Sequence, residues 1–131
     1  MITQDHFAGL KNLTSIDLSS NSLKITVDPE CMPTVRLEKA AFTSCQMGPR
    51  FPAWLQSQAG IDELFMSNTS IFDRLPDWFV TTFSKTRILQ ISNNGINGTL
   101  PTNLKNMTSL QALYLNSNKL IGQIPQGMYN P

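Results

Sequence analysis

Apolar residues recur along this chain in copies of one pattern, L-x-x-L-x-L-x-x-[NCT]-x-L, whose ninth positions stand 24, 24, 25 and 24 residues apart. A period of this length predicts a solenoid, because one such unit buries its apolar face only against neighbouring units. The fourth and sixth positions alternate with polar ones, so they should point inward while the fifth and seventh face solvent. We therefore predict one parallel sheet of buried segments: Ile16–Leu18, Ala40–Phe42, Leu64–Met66, Leu89–Ile91 and Leu113–Leu115.

The ninth position of every copy holds a short side chain that can form hydrogen bonds. The chain must turn away from the strand at this point, and the turn leaves backbone groups without partners in the sheet. We predict that these side chains bind the orphaned groups and form a ladder along the stack. The members of this turn ladder are Asn21, Cys45, Thr69, Asn94 and Asn118.

Each turn leads towards a proline, as at Pro101 and Pro125, and a proline ends extended structure. Beyond it, apolar residues follow at three-residue intervals, as Leu104, Met107 and Leu110 do. This spacing suits short 3₁₀ turns on the outer side. The predicted fold is an α/β repeat solenoid. It is a curved, right-handed array with the parallel sheet on its concave face and irregular or 3₁₀ segments on its convex face.

The repeat endings carry a family resemblance. The ending L-x-G-x-[IL]-P, present at 96–101 and 120–125, resembles the plant-specific class of leucine-rich repeat over almost the whole chain. More narrowly, segments 42–55, 75–79 and 89–94 resemble the ectodomains of plant receptor-like proteins of the disease-resistance kind. The resemblance implies recognition of a protein or peptide ligand in plant defence. It also implies signalling through a co-receptor kinase, at the extracellular face of the plasma membrane.

The chain departs from that family in several features. Intact members resemble one another in having a signal peptide, terminal caps, many more repeats and a membrane span, and we expect none of these in residues 1–131. Cys31 stands where the family usually has tryptophan. We interpret the chain as an internal segment of about five repeats of 24–25 residues, with no direct membrane contact. The alternatives are a secreted repeat inhibitor of microbial wall-degrading enzymes and a non-functional gene fragment; the gene's downstream sequence would separate receptor from inhibitor.

Composition and charge exclude several function classes. Charged residues make up 15% of the chain, and the formal net charge is +1, without a basic stripe. Nucleic-acid binding needs clustered cations, so we do not expect it. We predict no enzyme activity and no cofactor, because a triad would depend on His6 near a fraying terminus and no phosphate loop is present. Two cysteines and one histidine also make no credible metal site.

The sequence leaves two interpretations of the cysteines open, a disulfide and free thiols. Cys31 and Cys45 are 14 residues apart, and a disulfide is conceivable in an oxidising compartment. The turn position of Cys45 favours a buried free thiol instead.

Exposed positions supply the candidate sites. On the concave face we expect ligand contacts from the third and fifth positions: Asp17, Lys39, Glu63, Phe65, Gln90 and Tyr114. The two aromatic residues are the expected anchors, although cross-strand packing would explain them equally well. Four glycosylation sequons lie outside the inward positions, at Asn12, Asn68, Asn97 and Asn106.

Overall fold

The computed structural model describes residues 1–122. Its helical segments are α1 (Gln4–Ala8), α2 (Phe79–Thr82) and two 3₁₀ turns, Ala53–Ser57 and Leu104–Asn106. Its strands, each of three residues, are β1 (Ser15–Asp17), β2 (Lys39–Ala41), β3 (Glu63–Phe65), β4 (Ile88–Gln90), β5 (Asn97–Thr99), β6 (Ala112–Tyr114) and β7 (Lys119–Ile121). Five of them form one sheet in the order β1-β2-β3-β4-β6, and all of its pairs are parallel. The predicted parallel sheet of a repeat solenoid is therefore confirmed.

Strand pairing follows the repeat register. The third position of each copy pairs with the third position of the next, and the same holds for the fourth and fifth positions. The strands begin and end one residue earlier than predicted. Hydrogen bonding between copies nevertheless continues past them, since Leu18 N–H donates to the Ala41 carbonyl at 2.9 Å. The prediction followed side-chain alternation, which marks the inward positions but not the ends of the backbone ladder.

The core is complete in the middle copies and thin at the ends. Side chains at the fourth and sixth positions of the second, third and fourth copies are at most 1% exposed. The predicted burial is wrong at both ends, because Ile16, Leu18, Leu113 and Leu115 are only half-buried. Among the described residues, the inward side chains of an end copy have a neighbouring copy on one side only.

The seventh position departs from the prediction in the third and fourth copies. Ser67 and Ser92 are buried rather than solvent-facing, and their hydroxyl oxygens lie 2.9 Å apart. The chain already bends at this position, so the short side chain lies beneath the turn and its hydroxyl bonds the equivalent group of the next copy.

The eighth position adopts a left-handed backbone in all five copies. The φ angles lie between 57° and 67°, and the residues are Ser20, Ser44, Asn68, Asn93 and Ser117. Most residues other than glycine and asparagine adopt this backbone conformation only at an energetic cost, but it reverses the chain direction within one residue. The sharp turn at the end of each strand therefore depends on the eighth position as well as on the ninth.

The outer side holds Trp54 and a second sheet. The Trp54 ring lies 5.0 Å from Phe7 and 6.0 Å from Phe42, so it joins the first two copies. Behind the turn, β5 pairs in parallel with β7, and a bridge between Arg74 and Asn97 extends this ladder by one copy. The 3₁₀ turns agree with the prediction, whereas this second ladder was not predicted.

Candidate functional site

Asn94 is the most fully bonded member of the turn ladder. Its Oδ1 accepts the backbone N–H of Thr69 at 2.9 Å and that of Ile71 at 3.3 Å, and the Thr69 hydroxyl donates to it at 3.1 Å. Its Nδ2 donates to the carbonyls of Met66 at 3.0 Å, Ser92 at 3.2 Å and Ile91 at 3.3 Å. One side chain therefore joins the turns of the third and fourth copies and fixes how they stack.

The other ninth-position residues bind the same kinds of group with fewer bonds. Asn118 accepts from Ile96 N–H at 3.0 Å and donates to the Ile91 carbonyl of the preceding copy at 2.9 Å. Cys45 is a free, buried thiol that donates to the Leu18 carbonyl at 3.2 Å. Burial is the main reason that the pKa of this thiol is raised. These contacts hold the sheet in register, so the turn ladder positions the concave face rather than forming part of it.

The concave face is the sheet surface formed by the third and fifth positions of the five copies. Strand register aligns these positions into two rows that cross all five strands. The first row is Ser15, Lys39, Glu63, Ile88 and Ala112, and the second is Asp17, Ala41, Phe65, Gln90 and Tyr114. The candidate ligand residues thus share one continuous surface, although Glu63, Phe65 and Gln90 are only partly exposed.

A network of alternating charges crosses the second to fourth copies. Lys39 Nζ lies 3.3 Å from Glu63 Oε2, and Arg87 Nη2 lies 3.9 Å from the same oxygen. Arg87 also donates to both carboxylate oxygens of Asp62, at 2.7 and 2.6 Å. The side-chain hydrogen bond from Arg87 lowers the pKa of Asp62, so this carboxyl stays ionised. The four charges compensate one another and leave the middle of the surface without net charge.

Sequence reasoning missed Asp62 and Arg87. Both occupy the second position of their copies, directly before the strand, and pairing brings them side by side. Their signal was present, since an acidic and a basic residue at one repeat position of adjacent copies predict a cross-strand ion pair. We assigned solvent-facing positions from alternation within the strand, which ignores the residue that precedes it.

Charge and apolar character divide the concave face along the stack. Asp17 lies at the first strand, where Ser19 N–H donates to its Oδ1 at 2.9 Å, and this backbone hydrogen bond lowers the pKa of the carboxyl. Phe65 lies at the third strand and Tyr114 at the fifth, where it is 48% exposed. Gln90 stands between the two aromatic residues in the same row. The surface therefore runs from an anionic end to an uncharged, aromatic end.

The remaining candidate residues lie away from this surface or serve local structure. All four sequon asparagines are exposed. His6 belongs to α1, and its Nδ1 accepts the Thr3 backbone N–H at 3.0 Å. Within residues 1–122, no three His, Cys, Asp or Glu side chains converge on a point that would hold a metal ion. The described part of the chain also contains no helix long and apolar enough to cross a membrane.

Comparison with known proteins agrees with the repeat pattern described above. A family model described as Leucine Rich Repeat matches residues 12–34, 85–107 and 109–130, together more than half of the chain. The chain is 36% identical over 124 residues to "Receptor-like protein EIX1" and "Receptor-like protein EIX2" of Solanum lycopersicum, covering 95% of this chain. It is also 29% identical over 121 residues to "Receptor like protein 28" of Arabidopsis thaliana. The chain spans 12% of the length of the two tomato proteins. By its repeats, its parallel sheet and these matches, the chain belongs to the leucine-rich repeat family and is similar to plant receptor-like proteins.

Proposed function

We propose that this chain recognises a protein or peptide ligand as part of the ectodomain of a plant cell-surface receptor-like protein. Recognition takes place on the concave face, with Phe65 and Tyr114 as apolar anchors and with contacts from Asp17, Lys39, Glu63 and Gln90. The receptor acts in defence signalling and passes the signal to a co-receptor kinase. It acts at the extracellular face of the plasma membrane, and Asn12, Asn68, Asn97 and Asn106 carry its glycans.

The observation that carries this proposal is the 36% identity to two receptor-like proteins, which extends over 95% of the chain. The arrangement of the concave face supports the assignment of the surface. Its second row contains a half-exposed aromatic residue, Tyr114, and a partly exposed one, Phe65, on the parallel sheet. Aromatic side chains contribute much of the binding energy at interface centres, and they lose little conformational entropy on binding.

The proposal is tested by expressing the complete protein that the gene encodes in leaves, with an epitope tag. We expect a fungal culture filtrate to trigger an oxidative burst that is absent in leaves without the protein. The double variant Phe65→Ala/Tyr114→Ala should abolish the burst while the protein still reaches the cell surface. Thr102→Ala is the matched control, because Thr102 is exposed away from the concave face and its loss should leave the burst unchanged.

Two results would contradict the proposal. The first is an unchanged burst in the double variant at equal surface abundance. The second is the absence of any burst together with inhibition of the wall-degrading enzymes in the filtrate by the purified chain, which would establish the inhibitor instead.

A further inference from the structure

We propose that the ligand of the concave face is a polyproline II segment that carries a Lys or Arg residue at one end and apolar residues three and six positions away from it. The inference rests on the proposed function, because it names the ligand class of the same surface. It follows from the spacing, the charge and the hydrogen-bonding groups of the second row.

The spacing comes from strand register. Asp17, Phe65 and Tyr114 occupy the same repeat position on the first, third and fifth strands of the sheet. Adjacent strands lie about 4.8 Å apart, so consecutive members of this set are separated by about 10 Å. A polyproline II helix has three residues per turn and rises about 3.1 Å per residue, so every third side chain lies on one face at about 9 Å intervals. A β-strand places side chains on one face at about 7 or 13 Å and fits these positions poorly.

Charge sets the direction of the ligand along the stack. Among the described residues, Asp17 forms no salt bridge, and neither does the exposed Glu38, which directly precedes β2. By contrast, Asp62 and Glu63 are engaged by Arg87 and Lys39. The free negative charge therefore lies on the first two copies. The third and fifth positions of the last two copies are uncharged: Ile88, Gln90, Ala112 and Tyr114. A cationic residue fits the first end, and apolar residues fit the positions of Phe65 and Tyr114.

Gln90 supplies the polar contact that such a ligand requires. It lies in the same row between Phe65 and Tyr114, and it is partly exposed. A polyproline II segment has no internal hydrogen bonds, so its carbonyl groups remain free to accept a hydrogen bond from the side-chain amide N–H of Gln90. The preformed helix also loses little entropy on binding, which suits an open surface that contacts its ligand on one side only.

Two peptide arrays, probed with the purified full chain, test the inference. In the first array, heptapeptides carry proline at the spacer positions, and every amino acid is varied at positions one, four and seven. In the second, the varied positions are one, three and five with threonine spacers, which favours a β-strand. We expect retention on the first array at least ten-fold above the second. Its strongest peptides should carry Lys or Arg at one varied terminus and apolar residues at the other two varied positions.

Variants of the chain check the assignment of each contact. Asp17→Asn should reduce the preference for Lys or Arg over Glu at the cationic position by several-fold, while apolar selection persists. Tyr114→Ala should remove the selection at the opposite end, and Thr102→Ala should change neither. Stronger retention on the strand array, retention without a cation preference, or no retention on either array would each overturn the inference. The receptor proposal has a separate test, since the burst in leaves does not depend on which peptide class binds.

Discussion

Replacement of Asn94 by Ala tests the turn ladder at its most strongly bonded position. The variant removes the acceptor of two backbone N–H groups, those of Thr69 and Ile71, and both residues are completely buried. It also removes a donor to the Met66 carbonyl. Each buried group left without a partner costs about 1–3 kcal/mol. Because Asn94 is only half-buried, water forms some of the hydrogen bonds that the variant lacks. We expect a decrease in the free energy of unfolding of about 2–4 kcal/mol.

Urea unfolding of the chain, followed by circular dichroism, measures this loss. For a slope of about 2 kcal/mol per molar urea, the midpoint should fall by about 1–2 M. Amide hydrogen exchange gives a local readout, because Thr69 and Ile71 should lose protection before the rest of the third copy.

The neighbouring position supplies the control, but Ala is the wrong control substitution. An exposed residue usually tolerates Ala at a cost of about 0.5 kcal/mol or less. Asn93 is exposed but has φ of 57°, a conformation that costs Ala about 1 kcal/mol or more. Asn93→Ser is the suitable control, since serine occupies the same position with positive φ in three other copies. Equal midpoint shifts for Asn94→Ala and Asn93→Ser would refute the ladder.

Three further predictions concern packing and order along the stack. Gly48→Ala should destabilise the chain by about 1–3 kcal/mol in thermal unfolding, because the added Cβ overlaps the Ser70 carbonyl. Gly60→Ala is the control and should have little effect, because its added Cβ meets no atom within 4 Å. A maleimide should label the half-buried Cys31 well before Cys45, whose thiol is buried and has a raised pKa; equal rates by mass spectrometry would contradict this burial. Amide hydrogens of the first copy should exchange faster than those of the fourth, and uniform protection would show that a stacking neighbour on both sides is unnecessary.

Much of the fold follows from the sequence because the repeat pattern defines which residues of neighbouring strands pair. Once Leu64 and Leu89 are placed at the same repeat position, parallel pairing and the alignment of Phe65 with Gln90 follow without further assumptions. The second ladder of β5 and β7 could not be found in this way. Its residues follow the turn, where Lys119–Ile121 and Asn97–Thr99 show no common alternation, and their pairing results from the stacking that the first sheet imposes.

Sequence analysis placed the rows of the candidate site but missed their charge balance. Alternation placed Lys39 and Glu63 on the concave face, yet it gave no reason to pair Glu63 and Asp62 with Arg87, which precedes its strand by one residue. The pairing depends on side-chain reach across neighbouring copies, a property of the assembled sheet rather than of one copy. The left-handed eighth position was missed for a different reason, because serine and asparagine are common at turns of many kinds.

A glycan placed on the concave face tests most directly whether this surface carries recognition. Ala41→Asn completes a sequon with Thr43 in the second row, between Asp17 and Phe65. The matched control is Lys105→Ser, which completes a sequon at the exposed Asn103 beside the outer 3₁₀ turn.

Both variants are expressed as the encoded protein in leaves, and a mobility shift on glycosidase treatment verifies the added glycan. The oxidative burst after addition of the fungal filtrate is then measured at equal surface abundance. We expect the concave glycan to abolish the burst and the outer glycan to leave it intact. A full burst with the concave glycan in place would show that recognition does not take place on this surface.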